Sequence, residues 1–382
     1  MKALYLLIIF ALALPCGAQQ DSLDDVERLL EELTNAHGPS GFEGPVRKIV
    51  RREFQPLADE IQTDGLGSLI ARLGDTTAGP RIMIAAHLDE VGMIVKRITP
   101  NGFVKFQTLG GLLDRALISQ RYLIRTRSGM VRGVAGLKTM HVMSQQERGR
   151  VTPKNEIFID VGATSRQDAE RRLGIRPGDP IAPDSRFTKL NDPKLYVAKA
   201  WDDRAGVAVT IEVLKRLKRN PPPNVVFAAA TVQEEIGLRG AQTSSHIIRP
   251  DIGISIEAGV AADYPGIYPD QAQERLRGGP GIFLIDSSMI PNVKLRDFVI
   301  DLADEIGIPL QLEVISGYGE DGAQMQRAYG GAPVVNLTVP TRYLHSHSGV
   351  IHRDDFDQAV ELVTELVRRL DQATVDKIKS FD

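Results

Sequence analysis

The sequence predicts an α/β protein: a mostly parallel sheet sandwiched by helices, with a small β-rich, barrel-like domain inserted into it. Three observations carry this. After Leu195, short apolar runs of strand character alternate with longer segments that repeat apolar residues at helical spacing, the pattern of a parallel sheet covered on both faces. Between Val91 and about Ile181 the alternation stops. Short β-rich runs broken by Pro100-Asn101-Gly102, Gly110-Gly111 and Ser128-Gly129 replace it. Hydrophobic residues make up 42% and charged residues 25% of the 382, ordinary for a globular chain and ample for a large core.

The elements follow in order. Residues 1–18 read as a signal peptide: Lys2, an apolar run over 3–14, then small residues ending in Gly17-Ala18. The run is too short for a membrane span, which needs about 20 apolar residues. Cleavage is expected after Ala18, with export to the periplasm or beyond. The alternative is a lipoprotein acylated at Cys16, which Pro15 directly before the cysteine disfavours. Cys16 is the one cysteine, so any metal must take histidine and carboxylate ligands. Ser22 is expected to cap a helix that carries Val26, Leu29, Leu30 and Leu33 on one face and stops at Gly38. A second helix is predicted over 43–55, and strands over Leu69–Leu73 and 81–86. Within the β-rich stretch, 165–173 is the one helical pattern. Strands then follow at 196–200, Val225–Thr231, 252–256, Gly281–Ile285 and 333–339. Helices are predicted at 205–217, 293–306 and 356–370. The division is thus 19–90 with 187–382 for the larger α/β body, and 91–186 for the insert. With 46 basic against 49 acidic residues and a formal net charge of −3, the chain lacks the basic excess of a general nucleic-acid binder.

Five clusters could carry chemistry, each placed after a predicted strand: His87-Leu88-Asp89, Asp202-Asp203, Glu234-Glu235, Glu257 and His345. Parallel α/β sheets bind ligands beyond the carboxyl ends of their strands. Alone, each cluster has an ordinary explanation. An acidic pair is usually solvated surface, Asp202-Asp203 could start a helix and complement its dipole, and His87 could be a core histidine. His345 has rivals in His347 and His352. Their joint occurrence at strand ends points to a metal centre. Zinc and similar ions take histidine nitrogen and carboxylate oxygen. Two ions sharing a bridging carboxylate need five ligands: His87, Asp202 as the natural bridge, one of Glu234 and Glu235, Glu257 and His345. The spare glutamate is the general base a hydrolase requires. Asp89, two residues past His87, can accept the imidazole N–H and orient the ring. His37, His141 and His246 have no strand-end setting and read as structural or surface residues.

The set AAHLDEVGMIV, AWDDRAGVA, VQEEIGLRGA, SIEAG and VPTRYLHSHSGVIHRDD, in that order within residues 22–370, resembles the glutamyl aminopeptidase family, which includes the tetrahedral (TET) aminopeptidases. The resemblance implies a catalytic domain with two divalent metal ions per subunit, zinc or cobalt foremost and manganese next. It implies an inserted β-rich domain used for dimerisation, and homo-oligomers from dimers to dodecamers. It places His87 and Glu257 on one metal, Glu235 and His345 on the other, and Asp202 between them. Glu234 becomes the base, Asp89 supports His87, and the Asp202–Asp203 peptide is expected to be cis. The implied activity is removal of the N-terminal residue from short peptides. A metal-dependent deacylase, which needs no free N-terminus, is the second reading. An inactive assembly protein is the third, and the intact residue set opposes it. The sequence departs from the family pattern at Glu257, where aspartate is common, and near position 349, where some members carry an acidic residue. A signal peptide is also unusual for a family better known inside cells.

Overall fold

The computed structural model describes residues 23–77 and 79–382; the expected signal peptide and the expected cap Ser22 lie outside the described residues. The first helix, Asp25–Asn35, opens on Asp24 instead. Its side chain accepts from the Glu27 N–H while Glu27 accepts from the Asp24 N–H, a reciprocal cap.

The main sheet has eight strands in the order Glu60–Thr63, Leu69–Leu73, Val225–Thr231, Arg81–His87, Ile252–Val260, Val334–Thr341, Gly281–Ile285 and Gln311–Val314. The four central strands run parallel, with Ile84 opposite both Ala228 and Ile254, and Ile254 opposite Val335. Nearly every residue in them is buried. Both faces are covered, so these strands read as continuous apolar runs rather than as alternation. The flanks are antiparallel where Leu69–Leu73 meets Glu60–Thr63 and Val225–Thr231, and where Gly281–Ile285 meets Val334–Thr341. Glu60–Thr63 and Leu69–Leu73 are joined by a tight turn. Asp64 Oδ1 accepts there from the N–H groups of Leu66, Gly67 and Ser68, and Gly67 supplies the positive φ of 108°.

The helix Trp201–Arg219 is buried along most of its length because it packs on the sheet and under Asp25–Asn35 and Arg353–Arg369. The run predicted as a strand at 196–200 is Leu195–Ala198. It pairs with Thr188–Lys189 and Gly349–His352 in a separate three-stranded antiparallel sheet, so Asp202 does not follow a strand of the main sheet. Instead the chain turns through a left-handed Ala200 and delivers Asp202 from a non-helical step, Asp202-Asp203, at the start of the buried helix. The helix Arg239–Ile248 was not legible in the sequence. Its buried face mixes Gly240, Ser244 and Ser245 with Ala241 and Ile248, so small and polar residues interrupt the apolar stripe. No helix among the described residues is long and apolar enough to cross a membrane.

The insert is a closed six-stranded barrel, in the order Gly92–Ile98, Val104–Leu109, Phe158–Asp160, Gly129–Gly136, Arg121–Thr126 and Pro180–Pro183. Its own core holds Met93, Val104, Ile124, Ile159 and Ile181. Along Arg121–Thr126 buried Tyr122, Ile124 and Thr126 alternate with more open residues, the period of a barrel wall. The helical pattern at 165–173 becomes Arg166–Arg171, with Ser165 Oγ accepting from the Asp168 N–H.

One buried acid has a consequence for stability. Glu274 is accommodated beside Gly259 and Gly281, where any Cβ would collide with its carboxyl group. Its Oε1 accepts from Thr338 Oγ1 at 2.6 Å. Burial, and after it the nearby Glu313 and Asp355, push its pKa from 4.5 up to about 8. The folded chain therefore keeps a proton that the unfolded chain releases, so stability falls as pH rises between these two values. Glu274→Gln is expected to flatten the fall in melting temperature between about pH 5 and pH 8. An unaltered slope in the variant would remove Glu274 as its source.

Candidate metal centre

Arg81–His87 ends on a buried histidine whose main-chain N–H donates to Asp203 Oδ2 at 3.2 Å. Its Nδ1 lies 3.1 Å from the main-chain oxygen of Asp89. A carbonyl only accepts, so Nδ1 carries a proton and, in the neutral ring, Nε2 offers its lone pair. That Nε2 is 2.9 Å from Asp202 Oδ1, 3.6 Å from Glu257 Oε1 and 3.7 Å from Glu234 Oε2. His345, on the loop after Val334–Thr341, repeats the arrangement. Its Nδ1 donates to the Gly111 carbonyl at 2.7 Å, and its Nε2 is 3.0 Å from Asp202 Oδ2 and 3.5 Å from Glu235 Oε1. Asp202 thus extends one oxygen to each histidine, and the Asp202–Asp203 peptide is cis.

Two groups could each hold an ion, with ligand atoms within 4.8 Å of one another: His87, Asp203 and Glu257, and Asp202, Glu235 and His345. The first contains Asp203 where the sequence suggested Asp202. Asp203 already accepts from the N–H groups of His87 and Gly206 through its two oxygens. Asp202 faces both histidines, so the shared position suits it better. The donor set fits divalent cations. Glu235 Oε1 is buried without a hydrogen-bond partner. Burial first, then the crowding of Asp202, push Glu235 up to about 8; burial and Asp202 also raise Glu257 to about 7. Burial alone would lower the pKa of His345, yet Asp202 and Glu235 carry it up to about 10. Carboxylates held this close at a largely buried site suit a bound cation as counter-charge. Glu257 Oε1 also accepts from the N–H of Ala258 at 2.9 Å, a fold-back that its extra methylene permits.

The turn carrying Glu234 and Glu235 is held by two acids. Asp89 accepts from the N–H of Glu234 at 3.0 Å, the N–H of Glu235 at 3.2 Å and Ser40 Oγ at 2.6 Å. Glu43 Oε1 accepts from the N–H of Gln233. Asp89 therefore orients His87 through its main-chain oxygen, with its carboxylate 3.6 Å from Nδ1, while that carboxylate braces the glutamate turn. Sequence reasoning did not reach Ser40, Glu43 or Gly111: Glu43 and Gly111 act on or through main-chain groups, and Ser40 meets Asp89 from 49 residues away. The rival histidines lie elsewhere. His347 faces the carbonyl of Arg121, and His352 caps Arg353–Arg369 by accepting from the Asp354 N–H. His37 faces the carbonyl of Leu123, His141 sits near Thr139 on the insert, and His246 stacks on Tyr329.

Asp202, Glu234, Glu235, Glu257 and His345 line a cavity of about 160 Å³, walled on one side by Gly317-Tyr318-Gly319. The Tyr318 hydroxyl donates to the carbonyl of Ala258 at 2.6 Å. A larger cavity of about 720 Å³ beside Ile290, Asn292 and Phe381 has no histidine or carboxylate in its wall.

Fold and site together suit a hydrolytic enzyme built on a mostly parallel sheet, with carboxylates and histidines gathered near the carboxyl ends of its central strands. The family model described as M42 glutamyl aminopeptidase matches residues 67–362. The chain belongs to this M42 family, and it is a peptide hydrolase of aminopeptidase type. The putative aminopeptidase FrvX of Escherichia coli K12 is 37% identical over 354 residues, covering 92% of this chain and 97% of that protein. The crystal structure of a TET aminopeptidase from the marine sediment archaeon Thaumarchaeota archaeon SCGC AB-539-E09 is similar with a TM-score of 0.90 and 42% identity. The match covers 93% of this chain and 99% of that one. The structure of PhTET1-12s, described as a dodecamer, matches with a TM-score of 0.81 and 31% identity over 91% of this chain and all of that one.

Proposed function

We propose that this aminopeptidase works with two divalent cations and releases the first residue of short peptides, with Glu234 as general base. The observation that carries the reading is Asp202, whose two oxygens reach Nε2 of His87 and of His345 at 2.9 and 3.0 Å. His87 and Glu257 would hold one cation, Glu235 and His345 the other, with Asp202 shared. Bound there, such ions lower the pKa of water and polarise a carbonyl. Glu234 lies in the cavity wall and belongs to neither ligand group. It takes the proton of the attacking water and returns it to the leaving amine. Asp89 keeps Glu234 in place through its main-chain N–H. Zinc, cobalt and manganese all suit these donors, since selectivity rests on geometry and availability. The barrel is proposed to join subunits, with dimers building larger homo-oligomers, and the chain to be exported by residues 1–18.

The cavity also bears on the substrate. At about 160 Å³ it is smaller than the roughly 300–1,000 Å³ of ordinary ligand sites, which suits one terminal residue. Four carboxylates face it, and no lysine or arginine among the described residues lines it. Apart from the proposed cations, that wall offers an acidic side chain no positive group, so neutral and basic first residues are favoured. The test is a panel of aminoacyl anilides with their N-acetylated counterparts, in zinc, cobalt or manganese. Only free-amine substrates are expected to be cleaved, with leucyl and lysyl anilides exceeding glutamyl by at least about tenfold. Cleavage of the acetylated compounds would replace the aminopeptidase reading with the deacylase one. A glutamyl substrate equal to the others would overturn the charge argument alone.

A further inference from the structure

We infer that the inserted barrel is a working part of the second cation position, because its Gly110-Gly111 turn and its strand Arg121–Thr126 set the orientation of His345. The inference rests on the two-cation reading above. The two histidines are fixed in different ways. His87 ends a central strand, is buried, and is oriented by a main-chain oxygen two residues along its own segment. His345 lies on a loop, in left-handed conformation at φ 55°, with its side chain one-third exposed. What orients its ring is the carbonyl of Gly111 at 2.7 Å, which belongs to the insert.

The same turn presses on the partner ligand. A Cβ on Gly110 would come within 2.9 Å of Glu235 Oε2, and one on Gly111 within 3.1 Å of His345 Nδ1. Gly110 also has a φ of 83°, which glycine adopts without strain. A second grip lies two residues further along. His347 Nε2 donates to the carbonyl of Arg121 at 3.2 Å, and its ring meets Tyr122 edge-on with centroids 4.9 Å apart. The loop that carries His345 is therefore pinned to the barrel at two places. A carbonyl accepting from Nδ1 fixes both the tautomer and the direction of Nε2. Partners of this kind, one bond removed from the ion, typically change metal affinity by about 10–100-fold. Gly110 and Gly111 are positioning residues by this argument, as is His347.

The experiment is calorimetric titration of zinc into the metal-free full-length protein and its variants, with melting temperature of the metal-free form recorded alongside. Wild type is expected to take two equivalents. In Gly111→Ala one equivalent keeps its affinity, the other weakens by about 10–100-fold, and the metal-free melting temperature stays unchanged. His347→Ala should show the same split between equivalents, and it decides the matter should Gly111→Ala fail to fold. Both equivalents unchanged, or both weakened alike, would overturn the inference. A wild type that takes fewer than two equivalents would instead overturn the two-cation reading on which it rests.

Discussion

Glu234→Gln is expected to lower kcat by about 10²–10⁴-fold, the usual contribution of a positioned general base, while the bound metal per subunit stays as in wild type. The substitution is nearly isosteric. The N–H of residue 234 still donates to Asp89 Oδ1 at 3.0 Å, so the turn keeps its shape and Glu235 its place. What changes is that an amide cannot accept the proton. Burial raises the Glu234 pKa well above the ordinary carboxylate value. His87 opposes this, and Glu257, Asp321 and Glu235 add to it. Cations bound among these acids reverse that crowding and favour the ionised form. Glu235→Gln provides the contrast, since it alters a proposed ligand and should reduce metal content as well as turnover. Single-turnover rates with metal analysis on the same samples separate the two roles. A Glu234→Gln enzyme within tenfold of wild type would transfer the base to another residue.

The elements legible in the sequence share a physical property. The central strands Val225–Thr231, Arg81–His87, Ile252–Val260 and Val334–Thr341 are buried on both faces. They therefore declare themselves as apolar runs, and charged residues at or near their ends stand out as candidates: His87 closes its strand, while Glu257, expected after one, lies within Ile252–Val260. The barrel declared itself by turn residues. The misplaced run at Leu195–Ala198 is as apolar as a central strand, and composition does not tell which sheet a strand joins. That depends on Gly349–His352, some 150 residues away. His87, Asp89, Asp202, Glu234, Glu235, Glu257 and His345 could be singled out by residue type and position. Glu43 could not. It sits in a segment read as the start of a helix, and its carboxylate accepts the main-chain N–H groups of Gly41 and Gln233. Gly111 contributes a carbonyl, which every residue has. The supporting layer of this site is written largely in main-chain groups, and these leave no signature in residue type.

Asp202→Ala is expected to weaken both cation positions at once, whereas Glu257→Ala or His345→Ala should weaken one. Asp202 Oδ1 is 2.9 Å from His87 Nε2 and Oδ2 is 3.0 Å from His345 Nε2, so one truncation removes a donor from each group. A direct donor matters more than the outer partners whose loss costs about 10–100-fold, so at least about 10²-fold in affinity is expected at each position. Both affinities are read by equilibrium dialysis against zinc over a wide concentration range. Activity at a metal concentration that saturates wild type should fall with them. In the metal-free protein burial works against ionisation of Asp202. Hydrogen bonds from His345 and His87 overcome it and hold the pKa well below the usual carboxylate range. The variant therefore also strands buried His87 and half-buried His345 without their shared anion, so its metal-free melting temperature should drop. Asp202→Asn separates the contributions. Its carbonyl oxygen can still serve one position, and its amide nitrogen cannot serve the other, so one equivalent of zinc should survive. A full-affinity equivalent remaining in Asp202→Ala would mean that Asp202 serves a single ion. Asp203, which lies within ligand distance of His87 and Glu257, would then be the donor that completes the other.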